Sequence, residues 1–232
     1  MPENPNLVSN IARRGIQVIF YLAFQALILF AGSGDLAWTW AWVYLAVGML
    51  STVVNASFMF SRNPETIAER GHPERGEQWD RQLSAVWGIT EFVILPLVCA
   101  LDARLRWSGD LTIWLHALGV FLYALGLAIF GWAMVSNAYF STTVRIQKER
   151  GHQVCRVGPY RFVRHPGYAG TVFQSLGISV LLGSVYGLIP GMVAVALIVL
   201  RTRLEDRMLG KELEGYVEYS QATRYRLVPG VW

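Results

Sequence analysis

An all-α, polytopic membrane protein of about six transmembrane helices is the fold this sequence predicts, the last two forming a hairpin ahead of a cytoplasmic amphipathic helix. Three observations point to it. Hydrophobic residues fill 53% of 232 positions and charged residues only 16%, against about 25% in a soluble domain; the mean hydropathy is +0.36. The apolar residues gather into runs close to the ~20 residues that a bilayer crossing needs. Basic residues lie on one side of those runs: 18 of the 20 Lys and Arg fall in alternate loops and the ends, and only Arg104 and Arg106 fall between.

The runs cover residues 16–32, 36–60, 84–101 and 111–136, then 168–183 and 185–200. The first four are long enough to span. The two hairpin arms, at roughly 16 residues each, reach only about 24 Å, so they either cross a thinned, protein-lined region or stop short of it. Arg13-Arg14 before an apolar run ending at Ala31-Gly-Ser33 has the outline of a signal peptide, but the run is long for one and a retained anchor is expected. Trp38, Trp40, Trp42, Trp107 and Trp114 flank the two outer loops, as an interfacial aromatic belt does. With no repeat, P-loop or GxGxxG, the chain reads as one domain over 1–232: four spans in 15–136, then a loop, hairpin and tail in 137–232. The net charge of +4 reads as topology and attraction to anionic lipid, not as a nucleic-acid footprint.

The loop Ser61–Gln82 is the most charged stretch. Asn63-Pro64-Glu65 suits a helix start, with Pro at the first helical position and acids in the first turn. It reads either as a solvated amphipathic turn on the membrane or as a lid over a site. Glu91 lies seven residues into an otherwise uncharged span, where an acid needs a partner or a role; Arg81, Asn55 and the later loop are the candidates. Cys99 and Cys155 sit towards opposite ends of the spans and do not suit a disulfide. His152 and Cys155 lack a second pair at zinc-site spacing, so no metal is expected.

The chemistry concentrates between Asn137 and Gly167. Thr142–Gly151 reads as a polar extension of the fourth helix, capped by Gly151. Gly158-Pro159 marks a turn. Pro166 pushes His165 out of helical geometry and suits the first turn of the next helix, whose free amides favour an anionic group. A histidine and two arginines, Arg161 and Arg164, thus meet a helix start beside the membrane. An arginine-rich loop gripping lipid phosphates would use the same residues. About 35 residues on, Arg201-Thr-Arg-Leu-Glu205-Asp206 places Arg201 and Glu205 one turn apart on one helical face. Leu204, Met208, Leu209, Leu213, Tyr216 and Val217 then form an apolar stripe in the tail.

The segment GPYRFVRHPGY (Gly158–Tyr168), the acid pair Glu205-Asp206 and the ending Arg224-Tyr-Arg-Leu-Val-Pro-Gly-Val-Trp232 together resemble the isoprenylcysteine carboxyl methyltransferase and phospholipid methyltransferase group of integral membrane enzymes, in its bacterial form. The resemblance is specific from His152 to Trp232 and looser before it. It implies methyl transfer from S-adenosylmethionine to a lipophilic acceptor in the membrane, with the site and both ends cytoplasmic. By the same resemblance, His165 and Glu205 contact the cofactor, within a set comprising His152, Val154, Gly158, Tyr160, Arg164, His165, Pro166, Tyr168, Glu205 and Asp206. Arg201 and Glu205 stand at the reacting centre, Arg201 fixing the acceptor's acid group. The second acid is Asp206 where many relatives carry Glu. Sterol reductases share a related helical core and use a nicotinamide cofactor, and a non-enzymatic lipid-binding membrane protein is a third reading. A carboxylate or thiolate acceptor needs no general base, so the absence of a Ser-His-Asp or paired-carboxylate arrangement fits.

The partition of basic residues makes a direct prediction. Gln153→Cys and Ser108→Cys should label from opposite sides of the membrane, Gln153→Cys from the cytoplasm; labelling of both from one side overturns the topology.

Overall fold

A computed structural model describes residues 7–62, 66, 70 and 76–232, and every regular element in them is helical. Helix α1 is Leu7–Ser33, α2 Thr39–Arg62, α3 Gln78–Ile89 and α4 Leu95–Leu105, the last two joined by a π-helical turn at Thr90–Ile94. Then come α5, Ile113–Ser136; α6, Pro166–Leu181; α7, Leu188–Glu212; and α8, Tyr216–Ala222. Four helical stretches are long and apolar enough to cross a membrane: Ala12–Ser33, Thr39–Ser61, Gln78–Leu105 and Ile113–Ser136. The expected fifth and sixth crossings, α6 and α7, are not among them. The proposed helix start at Asn63 lies outside the described residues.

The third crossing carries Pro96 just after its π turn. Proline has no N–H, so the carbonyl of Phe92, four residues back, loses its helical donor. The Gln25 amide on α1 supplies one at 2.7 Å. Gln25 is fully buried and accepts in turn from the Tyr44 hydroxyl at 3.3 Å. A helix break inside a membrane is tolerated where a neighbour satisfies the freed backbone in this way. The π turn aims Glu91 at α6, where the Ser175 hydroxyl donates to it at 2.8 Å. Its observed partner is therefore a serine of the hairpin rather than Arg81 or Asn55.

Helices α5 and α6 pack backbone against backbone. Glycines recur seven apart on each: Gly126 faces Gly170, Gly119 meets the Val180–Leu181 backbone and Gly177 meets that of Tyr123. A Cβ on Gly170 would lie 2.6 Å from the Gly126 carbonyl oxygen, and one on Gly177 would lie 2.5 Å from the Tyr123 nitrogen. Small residues allow this approach, and in lipid the gain comes from close packing rather than from expelling water. The end of this pair far from residues 137–165 is stapled by Asp102, which accepts from the Ser108 amide at 2.8 Å and from the Ser108 and Ser184 hydroxyls at 2.5 Å each. There His116 lies flat on Trp40, ring centroids 4.0 Å apart, and bonds the Leu181 carbonyl at 2.8 Å. Trp40 is thus a packing residue, whereas Trp114, Trp42 and Trp107 are exposed as a belt requires.

Two local expectations are corrected. Thr142–Gly151 does not extend the fourth helix: α5 stops at Ser136 and only a 3-10 turn forms, at Lys148–Arg150. The stretch runs extended because its backbone bonds elsewhere. The Val144 amide donates to Asp80 at 2.7 Å and the Val144 carbonyl accepts from the Glu77 amide at 3.0 Å. Gly151, with φ +63°, does end that short turn in the left-handed conformation. The amphipathic tail, second, is split: Tyr216–Ala222 is a helix of its own, and the part before it, residues 204–212, is not. That part continues the last hairpin arm, so Leu188 to Glu212 is one 25-residue rod that carries the acids straight from the membrane edge.

The glycine seam fixes where α6 begins, and so where the site lies. Gly170→Val should therefore destabilise the protein by about 1–3 kcal/mol, the usual cost of overpacking. A lowered midpoint of thermal unfolding in detergent, compared with a glycine outside the seam such as Gly15, checks this.

Candidate active site

Helix α5 is about 36 Å long and α6 about 24 Å. Because Gly126 faces Gly170, α6 begins near the level of Phe130, more than a turn inside the end of α5. A Cβ at Gly167 would press on Phe140 at 2.8 Å. Residues 137–165 fold over this recess, and α7 and α8 close it. The recess has a cavity volume of about 110 Å³ and a wide mouth.

One side of the recess is built on Asp206. Arg164 grips it twice, through Nε at 2.7 Å and Nη2 at 3.0 Å. His165 Nε2 lies 3.2 Å away, the Tyr216 hydroxyl donates at 2.8 Å and Arg226 Nε at 2.8 Å. Burial alone would raise this carboxyl's pKa, but hydrogen bonds from His165 and Arg164 outweigh it and hold the group well below the carboxylate range. Arg164 also donates to the carbonyls of Thr223 at 2.9 Å and Arg224 at 2.8 Å, closing the end of α8. Backbone bonds from the Arg164 and His165 amides to the Tyr225 and Arg226 carbonyls, 2.9 Å each, lash the loop to the tail. The expected cofactor acid Asp206 and its partner Arg164 are thus committed to one another, although Arg164 still lines the cleft.

The other side is built on Asp80, fully buried at the start of α3. Arg201 meets it with Nε at 2.7 Å and Nη2 at 3.0 Å, and Nη2 also donates to the Thr142 carbonyl at 3.0 Å. Arg201 was expected to face an acceptor, or else to pair with Glu205 or lipid. Its fork is instead closed on Asp80, and its guanidinium carbon sits 5.1 Å over the Tyr168 ring. The Tyr168 hydroxyl donates to Glu205 at 2.5 Å. Tyr168 therefore stands between the two residues that one helical turn brings together.

Of the sequence-expected set, His152, Val154, Tyr160, Arg164, His165, Tyr168 and Glu205 line the recess. Gly158, Pro166, Arg201 and Asp206 do not, and each shapes it. Gly158, at φ +60°, begins a 3-10 turn packed so tightly on Ser136 and Trp132 that a side chain would collide. Pro166 opens α6, leaving His165 at φ −125°, outside the helix. His152 stacks on Tyr139, centroids 4.5 Å apart, and accepts from the Gln147 amide at 3.3 Å. Burial, and then the charges of Arg145 and Arg150, push its pKa down to about 4.

Sequence reasoning missed Asp80, Tyr139, Tyr216 and Tyr219. Asp80 left one signal: an acid at the foot of an apolar run, opposite in sign to Arg201 at the foot of another. Tyr216 stood only in the apolar stripe and Tyr219 not even there; Tyr219 donates to the Tyr160 carbonyl at 2.7 Å.

Residues 117–211 match the model of the isoprenylcysteine carboxyl methyltransferase family. Over this stretch the chain is similar to that family. The match, with the four membrane-length helices, supports a membrane methyltransferase. No curated protein matches the chain. The family region contains every residue of the sequence-expected site, whereas Asp80, Tyr216, Tyr219 and Arg226 lie outside it.

The low pKa of His152 gives a pH prediction with a definite sign. Between its ordinary 6.5 and about 4, the unfolded chain takes up a proton that the native imidazole refuses. Stability should therefore fall as pH drops through that window and level off below it. His152→Gln should flatten this part of the curve, read as thermal midpoint against pH at fixed ionic strength.

Proposed function

We propose that the recess binds S-adenosylmethionine and that the enzyme methylates a lipophilic acceptor arriving from the bilayer, an isoprenylcysteine-type carboxylate or a similar small or lipid acceptor. The observation that carries this reading is Glu205, held by Tyr168 inside an aromatic-walled recess that begins below the end of the membrane helix α5. The donor set fits the cofactor. Glu205 offers a carboxylate for its ammonium group, beside His165, whose ring lies nearly parallel to Tyr168. The faces of Tyr139, Phe140 and Tyr160 suit an adenine ring and a sulfonium. The amides of Gly167 and Tyr168, ahead of the first helical bond of α6, suit a carboxylate. When bound, S-adenosylmethionine supplies a methyl group on a positively charged sulfur. The chain's task is then to align acceptor and methyl carbon and to exclude water, which strengthens the attraction between sulfonium and an anionic acceptor.

In this reading Asp206, Arg164 and Arg201 position other groups. Asp206 and Arg164 set the loop that carries His165, and Arg201 sets the Tyr168 ring that holds Glu205. The weight of basic residues supports a cytoplasmic location for the recess and for both ends of the chain.

Equilibrium binding of labelled S-adenosylmethionine to the purified protein tests the proposal. Wild type should retain it, and Glu205→Gln and His165→Ala should each weaken it by roughly 1–3 kcal/mol, the worth of a hydrogen bond to a charged group. Retention of a nicotinamide cofactor in place of S-adenosylmethionine would sink the methyl-transfer reading. Transfer of label into a lipid extract of the host would identify the acceptor.

A further inference from the structure

Arg70 lies outside the recess and outside the family region, yet the structure brings it against both. Its guanidinium carbon sits 5.2 Å from the centre of the Phe140 ring and 5.5 Å from that of Phe130. Those two rings meet edge to face at 5.2 Å, so the cation occupies the corner between them. Phe140 lines the recess and packs on Gly167, next to Tyr168. One aromatic ring therefore separates Arg70 from the cofactor-side wall. The backbone around Arg70 is fastened at three points. Its amide donates to the Thr66 carbonyl at 3.2 Å, its carbonyl accepts from the Thr142 hydroxyl at 3.1 Å, and the buried Thr66 hydroxyl donates to the Ala138 carbonyl at 2.7 Å. Thr142 also holds Arg201 through its carbonyl. Arg70 and Arg201 thus flank one residue, one anchored by its backbone and the other by its side chain.

The two arginines differ in charge balance. Arg201 is neutralised by Asp80. Among the described residues no carboxylate faces Arg70, and its half-buried guanidinium has only aromatic faces for company. Burial, with the nearby positive charges of Arg14 and Arg201, lowers its pKa to about 9. A cation that is desolvated, surrounded by like charge and given no counter-ion is stabilised by any anion that enters beside it. Its planar fork suits a carboxylate or phosphate, and the flanking phenyl rings suit the apolar chain such a group would carry.

We infer that Arg70, rather than Arg201, is the anion receptor for the lipophilic acceptor, binding its carboxylate or phosphate head at the membrane side of Phe140. This assignment rests on the methyltransferase reading for the acceptor's role, but the anion site is tested without the cofactor. The probe is N-acetyl-S-farnesylcysteine against its carboxamide, which has the same apolar chain and no charge. Binding is measured to the full-length protein in phosphatidylcholine nanodiscs. Wild type should bind the carboxylate about tenfold more tightly than the carboxamide. Arg70→Gln should abolish that preference. Arg70→Lys, which keeps a cation and guards against loss of fold, should retain only part of it. Arg224→Gln, an exposed arginine, should leave it intact. Equal binding of the two probes by wild type, or a preference that survives in Arg70→Gln, overturns the inference. So does a preference erased by adding phosphatidylglycerol, which marks a resident lipid headgroup site instead. S-adenosylmethionine binding is read on the same samples and should be unchanged in Arg70→Gln. If wild type binds no S-adenosylmethionine, the proposed function falls while the carboxylate preference still reports on Arg70.

Discussion

A buried carboxylate surrounded by too few donors unfolds its surroundings or takes up a proton. Asp206 avoids both by receiving five contacts from the loop, α8 and the tail. The position of each of those segments depends on it. The loop Gly158–His165 has only a short 3-10 turn, α8 spans only seven residues, and the tail beyond it has no helix. Tyr160, Tyr216 and Tyr219 also pack in one apolar cluster, and the shared anion adds a fixed point to it. With it, two arginines and a tyrosine from separate stretches are drawn to one point, and His165 is carried with them to the recess. A pair broken by removing one member leaves the other charge buried and unpaired, so the cluster behaves as a unit.

Asp80 and Arg201 play the matching part on the far side. Their bidentate pair joins the foot of α3 to the middle of α7 and fixes the extended strand at Val144 between them. Tyr168 lies over that pair and reaches Glu205. The recess is therefore framed by two carboxylate–arginine pairs, and the free acid inside it is the one neither arginine takes. This division explains how Glu205 and Asp206, adjacent in sequence, come to differ. Successive residues on a helix point about 100° apart, so one faces the recess and the other the tail.

Depth in the membrane follows from the glycines. Gly119, Gly126, Gly170 and Gly177 let α5 and α6 touch through their backbones, which sets the start of α6 below the end of α5. A recess placed there is lined both by polar loop residues such as Ser141, Thr143 and Gln153 and by aromatic ones such as Tyr139, Phe140 and Tyr160. The aromatic pair Phe130–Phe140, resting against the same glycines, carries Arg70 to this boundary.

By itself the sequence determined the helical class, the four long apolar stretches and the clustering of ionisable groups after Asn137, because hydropathy and charge distribution are properties of local chain. It also marked His165, Tyr168 and Glu205, through a motif whose residues keep fixed spacing. The tertiary structure alone decided which charges neutralise one another. Arg201 is one turn from Glu205 in sequence yet pairs with Asp80, 121 residues away. Arg164, which spacing offered to a ligand, belongs to Asp206. Thr142–Gly151 has the composition of a helix, but backbone bonds to Asp80 and Glu77 hold it extended. Each outcome turns on a buried polar group seeking its nearest donor or acceptor in space, and spacing along the chain carries no record of that distance.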